Sequence, residues 1–144
     1  MRLGLVLGIH RATHRIGLFL QECAPGITQA EAHILCQLHE SGNSSIAELH
    51  RAFAHKRSTL TSVLDRLNER GLVMRSVSPR DRRSFVVSLT RAGRKEAARV
   101  HALLEVLEKK VLQHSDPRAM DSFGRVLEAL ERAASAGGAP TYRK

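Results

Sequence analysis

Along residues 2–23 the apolar positions step at helical three- and four-residue intervals on two seams. One seam carries Leu5, Ile9, Ala12, Ile16, Phe19 and Cys23, the other Leu3, Leu7, His10, His14 and Leu18. A helix apolar on two sides needs two partners. Ala24, Pro25 and Gly26 end it, and Thr28 with Glu31 makes a T-x-x-E capping box for a second helix that packs through Ile34, Leu35 and Leu38 and stops at Gly42. Ser45 and Glu48 repeat the box and open a short third helix with Ile46, Leu49 and Phe53 inward. After a turn at Ala54 to Arg57, a fourth helix runs to about Arg70. It buries Leu60, Val63, Leu64 and Leu67 and leaves Ser58, Thr61, Ser62 and Asp65 on its other faces.

The pattern then changes period. Leu72 to Val77 and Phe85 to Thr90 are short and rich in β-branched residues, and the polar stretch Ser78 to Ser84 joins them, so a hairpin with an Arg-loaded tip is expected. Beyond Thr90 a long helix carries Ala97, Val100, Leu104, Leu107 and Val111, a seam suited to another helix. Asp116 caps a last helix with Pro117 at its first position and Met120, Phe123, Leu127 and Leu130 inward. Four segments follow: 1–27, an N-terminal helix for dimerisation; 28–92, a winged helix-turn-helix; 93–134, C-terminal helices for dimerisation; and 135–144, a disordered tail. The expected fold is mainly α with a small β-hairpin wing.

Charge sharpens this picture. Residues 51–95 hold twelve Lys or Arg against three Asp or Glu, while the rest of the chain balances at eleven against eleven, so the whole net charge of +9 lies in one patterned block. Such a block suits a polyanion, because each neutralised phosphate releases condensed counterions. The apolar stretch Leu3 to Ile9 is interrupted by His10, Arg11, His14 and Arg15, and no run nears the roughly 20 apolar residues that span a bilayer. A cytoplasmic, nucleoid-associated protein with no membrane partner is expected. Cys23 and Cys36 lack a C-x-x-C spacing and are read as inert packing residues without a disulfide.

Helix, short helix, turn, helix and hairpin in that order form a helix-turn-helix followed by a wing. The fourth helix carries small polar side chains that fit a major groove roughly 12 Å wide. Ser45, Lys56, Arg57, Ser58, Thr59, Thr61, Ser62 and Arg66 are the candidate contacts from the helices, and Arg80, Asp81, Arg82 and Arg83 those from the wing. Asp81 is expected to orient an Arg.

Three stretches carry a resemblance: Arg57-Ser-Thr-Leu-Thr-Ser-Val-Leu-Asp-Arg-Leu-Asn-Glu-Arg-Gly-Leu-Val, then Pro79-Arg-Asp-Arg-Arg-Ser, then Leu89-Thr-Arg-Ala-Gly-Arg94. With them the chain resembles the MarR family of bacterial regulators over about residues 3 to 132. The resemblance implies a homodimer built from the first and last two helices. Its two winged domains would sit on a pseudo-palindromic operator in double-stranded DNA, acting as a repressor under a small-molecule effector. The family often has Arg where Ser62 stands, so base preference at that position does not carry over.

His10 and His14 lie four apart on one helix face, a spacing that serves either a two-imidazole metal site or hydrogen bonding at a dimer seam, the second being the expected role. With His33 they are the candidate effector contacts; no metal and no cofactor is expected. The sequence has no P-loop, G-x-G-x-x-G, H-E-x-x-H or G-x-S-x-G motif, and an enzyme is not expected. The alternative reading of the same fold is a protein-interaction module or antirepressor without an operator of its own.

Overall fold

The computed structural model describes residues 3–136. Its elements in order are α1 (Gly4–Cys23), α2 (Gln29–Ser41), β1 (Ser44–Ser45), α3 (Ile46–Phe53), α4 (Arg57–Glu69), β2 (Val73–Val77), β3 (Phe85–Leu89), α5 (Arg91–Leu112) and α6 (Pro117–Ala136). The chain divides into two compact units, Met1–Leu104 and Glu105–Lys144. The tail assigned to 135–144 lies mostly outside the described residues; Ser135 and Ala136 still belong to α6.

Local sequence explains the first half of the larger unit. Both capping boxes form. The Thr28 hydroxyl accepts from the Glu31 N–H at 3.2 Å while Glu31 accepts from the Thr28 N–H at 2.9 Å. Ser45 and Glu48 repeat the exchange at 3.2 and 2.7 Å. Each box satisfies two backbone donors that the first turn of a helix would otherwise leave unpaired. The reciprocal bonds with Ser45 also hold the Glu48 carboxyl below the usual carboxylate range. The helices then close on one core of Leu35, Leu38, Leu49, Leu64, Leu67, Val73, Val87 and Val100, each at most 2% exposed. Burying a side chain of this size contributes about 1.5–3 kcal/mol.

Three expectations are corrected. The sheet has three strands in the order β1-β3-β2, all antiparallel, because Ser44 and Ser45 pair with Val87 and Val86 before α3 begins. Ile46 is not inward: it is 36% exposed at the first position of α3, and Leu49 and Phe53 alone fill the core from that helix. In α1 the buried residue is Leu20, which lies on neither seam; Leu3, Leu5, Leu7, Ile16 and Leu18 are exposed in the single chain. Only the end of α1 reaches the core, and it is fixed there by Arg99 of α5 donating to the Cys23 carbonyl at 3.2 Å.

The hairpin is locked to α5 at its base. The Thr90 hydroxyl donates to the Gly71 carbonyl at 2.6 Å and accepts from the Gly93 N–H at 2.9 Å, so one side chain caps α5 and ties down the entry to β2. In the second unit, α6 begins where Asp116 accepts from the Arg118 N–H at 3.0 Å; Met120, Leu127 and Leu130 are half-buried, but Phe123, expected inward, is 44% exposed in the single chain.

Candidate nucleic-acid interface

The face of α4 opposite its core residues is assembled from short polar side chains. Thr61 donates its hydroxyl proton to the Arg57 carbonyl and Ser62 donates to the Ser58 carbonyl, both at 3.0 Å. These back-bonds use the hydroxyl protons and leave oxygen lone pairs outward. Ser58 is exposed beside them, whereas Thr59 is half-buried at the edge of the core. Lys56 is the exposed N-cap and makes no side-chain capping bond, so the first turn of α4 keeps unpaired donors and its positive end-potential. Before it, Ala54 takes a left-handed φ of 50°, which sets the sharp turn between α3 and α4.

Three ion pairs fix the helix and its C-cap against their neighbours. Asp65 receives Arg75 of β2 at 2.6 Å, so the hairpin neutralises one of the two acids of α4. From the next residue and from the C-cap, Arg66 and Arg70 both reach Glu31 of α2, at 3.4 and 3.3 Å. Glu31 is 3% exposed in its side chain, and with Ser44 it makes up the buried polar residues among those described. Ser45, a candidate contact, has its hydroxyl engaged as the cap of α3.

The wing tip is ordered by its own small residues. The Ser78 hydroxyl accepts from the N–H groups of Arg80 and Asp81, and the Asp81 carboxylate accepts from the Arg83 N–H at 2.9 Å. Asp81 thus orients the loop backbone rather than an Arg side chain. Arg80, Arg82 and Arg83 are exposed, and among the described residues none of their guanidinium groups forms a salt bridge. Between wing and helices lies a groove of about 950 Å³ with apolar Ile46, Leu60 and Phe85 in its walls and Arg51, Arg57 and Arg75 around them. Arg51 and Arg75 were missed as members of this surface because their relation to α4 depends on the turn after α3 and on how the hairpin folds back.

The histidine candidates do not form one group. His10 and His14 are exposed on α1, while the His33 ring meets Phe53 edge-on at 5.3 Å between centroids and Phe53 in turn lies 4.2 Å from His55. Although His33 as a residue remains accessible, partial burial of its ring, and then the charge of His55, lower its pKa from 6.5. Elsewhere His39 and His101 approach to 4.9 Å between centroids and His101 contacts Glu40 at 3.1 Å. Among the described residues no group of three His, Cys, Asp or Glu is arranged to hold a metal ion, and no helix is long and apolar enough to cross a membrane. Cys23 and Cys36 are both free.

A family model described as MarR family matches residues 27–85. The HTH-type transcriptional repressor NicR of Pseudomonas putida is 41% identical over 73 residues, which is 51% of this chain and 46% of NicR, so the match spans about half of that relative. The HTH-type transcriptional repressor Rv2887 of Mycobacterium tuberculosis is 32% identical over 105 residues, covering 73% of this chain and 76% of the relative. Among solved structures, a cysteine-to-serine mutant of MarR from E. coli complexed with operator DNA matches with a TM-score of 0.70 and 25% identity, over 90% of this chain and 99% of that one.

Proposed function

The chain belongs to the MarR family, and on that premise we propose that it is a homodimeric repressor that binds a pseudo-palindromic operator through α4 and the wing and is released by a small-molecule effector. One observation carries the DNA-binding part. The hydroxyl-bearing face of α4 and three wing guanidinium groups that form no salt bridge among the described residues belong to one compact unit, which also contains the cationic block 51–95. A duplex offers the matching partners: base edges in the major groove for the short side chains, and phosphates or the adjacent minor groove for the arginines.

The contacts divide by chemistry. Lys56, Arg57, Ser58 and the start of α4 are suited to phosphates, and Arg80, Arg82 and Arg83 to the flanking backbone or minor groove. Thr61 and Ser62, whose protons are already given to the helix backbone, present acceptors and so favour base-edge amino groups of adenine or cytosine. Dimerisation rests on the apolar residues that α1 exposes and on Phe123 and Val126 of α6, which are 44% and 38% exposed in the single chain. In a dimer the two half-sites would lie about 10–10.5 base pairs apart. The effector reading rests on family membership, with His10, His14 and His33 as the candidate contacts.

Selection of bound fragments from random and genomic DNA tests the proposal. It predicts enrichment of a two-fold symmetric sequence, and a Thr61→Ala protein that selects an altered consensus with similar overall affinity. Absence of any enriched sequence would favour a protein-interaction module instead.

A further inference from the structure

A buried carboxylate at the start of α2 is placed to aim an arginine of α4. Glu31 is fixed from behind by its capping box, where its Oε2 takes the Thr28 N–H at 2.9 Å. The same oxygen takes Arg70 Nη1 at 3.3 Å, and that Nη1 also donates to the Gly26 carbonyl at 2.8 Å. The second oxygen, Oε1, faces the Nε of Arg66 at 3.4 Å. Arg70 is therefore anchored to the α1–α2 connection. Arg66 is not: its contact with Glu31 uses only the Nε edge, and the side chain remains 48% exposed.

Charge and position give the exposed edge of Arg66 a purpose. One carboxylate and two guanidinium groups leave one surplus positive charge; both arginines are partly exposed, at 48% and 41%, but Arg70 is also tied to the Gly26 carbonyl, so Arg66 is the one that can turn it outward. Arg66 lies one helical turn beyond Ser62 and two beyond Ser58, on the flank of the face that bears the hydroxyls. A guanidinium has five donors in a fixed plane, so it can meet a carboxylate with one edge and a phosphate with another; an ammonium has no such fork.

Resting on the DNA-binding reading above, we infer that Arg66 contacts a backbone phosphate through its free edge and that Glu31 is the positioning residue that holds it there. The α2 cap thus presets a DNA contact without touching DNA. This arrangement gives the buried charge of Glu31 a role at a position where capping alone would be served by a neutral Gln.

The test is a double-mutant cycle in the full-length protein, reading affinity for its selected operator at several salt concentrations, with circular dichroism to confirm folding. Arg66→Ala is expected to lower affinity on the order of tenfold, as for loss of a charge-assisted hydrogen bond. It should also reduce the log–log salt slope by about 0.9, the release from one phosphate. Glu31→Gln should lose a similar factor, and the double variant should be no weaker than the weaker single. Arg66→Lys, which keeps the charge and removes the fork, should lose most of what Arg66→Ala loses. Losses that multiply in the double variant, an unchanged salt slope for Arg66→Ala, or full affinity in Arg66→Lys would each overturn the inference. Should Glu31→Gln fail to fold, Glu31→Asp takes its place in the cycle, since the shorter side chain keeps the charge but withdraws the carboxylate from Arg66, and the same outcomes decide. If the unsubstituted protein showed no salt-dependent DNA binding, the functional reading itself would fail; normal binding with an indifferent Arg66 would sink only this inference.

Discussion

Gly93 in the first turn of α5 lies against the carbonyl of Leu72 so tightly that a Cβ at position 93 would stand 1.7 Å from that oxygen. Thr90, three residues earlier, bonds to both the Gly71 and Leu72 carbonyls and to the Gly93 N–H. The start of the hairpin and the start of α5 therefore meet backbone to backbone. Gly93→Ala has no flexible neighbour to displace, and it should cost about 3 kcal/mol or more, the upper end for overpacking. Urea denaturation measures this directly. A midpoint within error of the unsubstituted protein would mean that the two elements are free to separate.

The ring contacts of His33, Phe53 and His55 join α2 to the turn before α4. Because the pKa of His33 is lowered from 6.5 in the folded chain, the unfolded chain binds the proton more readily. The contribution of this residue to stability is complete above pH 6.5 and is lost as the pH falls below it through the lowered folded value. Thermal denaturation from pH 8 down to pH 5 should show a decline that is shallower in His33→Gln. Identical pH profiles for the two proteins would remove His33 as the cause.

The two thiols should differ sharply in reactivity. Partial burial, and then the charge of Glu40, push Cys36 up to about 11, whereas Cys23 is exposed at the end of α1. At pH 8 a thiol-specific reagent should label one equivalent quickly and the second far more slowly, since the thiolate is the nucleophile. Peptide mapping should place the fast label on Cys23; fast labelling of Cys36 would contradict its assigned environment.

Features set by neighbours in sequence were the ones that could be read before folding. The two capping boxes are exchanges between residues three apart, and both formed at the stated positions. The apolar spacing of Leu60, Val63, Leu64 and Leu67 fixed the inward face of α4, and hence the face that carries Thr61 and Ser62. Long-range geometry was not readable. The two-residue β1 exists because β3 supplies its partner, and Leu20 is buried because the end of α1 lies against the core. The pairs Glu31–Arg66 and Glu31–Arg70 span 35 and 39 residues, so the charge of Glu31 looked like a helix cap and no more.

A binding titration of the operator against salt, run on the unsubstituted protein and on Arg82→Ala/Arg83→Ala, bears most directly on the claim that the cationic wing and α4 engage duplex DNA. Log affinity should fall linearly with log salt, at about 0.9 per phosphate neutralised, and the double substitution should flatten that line by up to about 1.8 while weakening every DNA sequence alike. A slope near zero in the unsubstituted protein, or an undiminished slope once both arginines are gone, would contradict it.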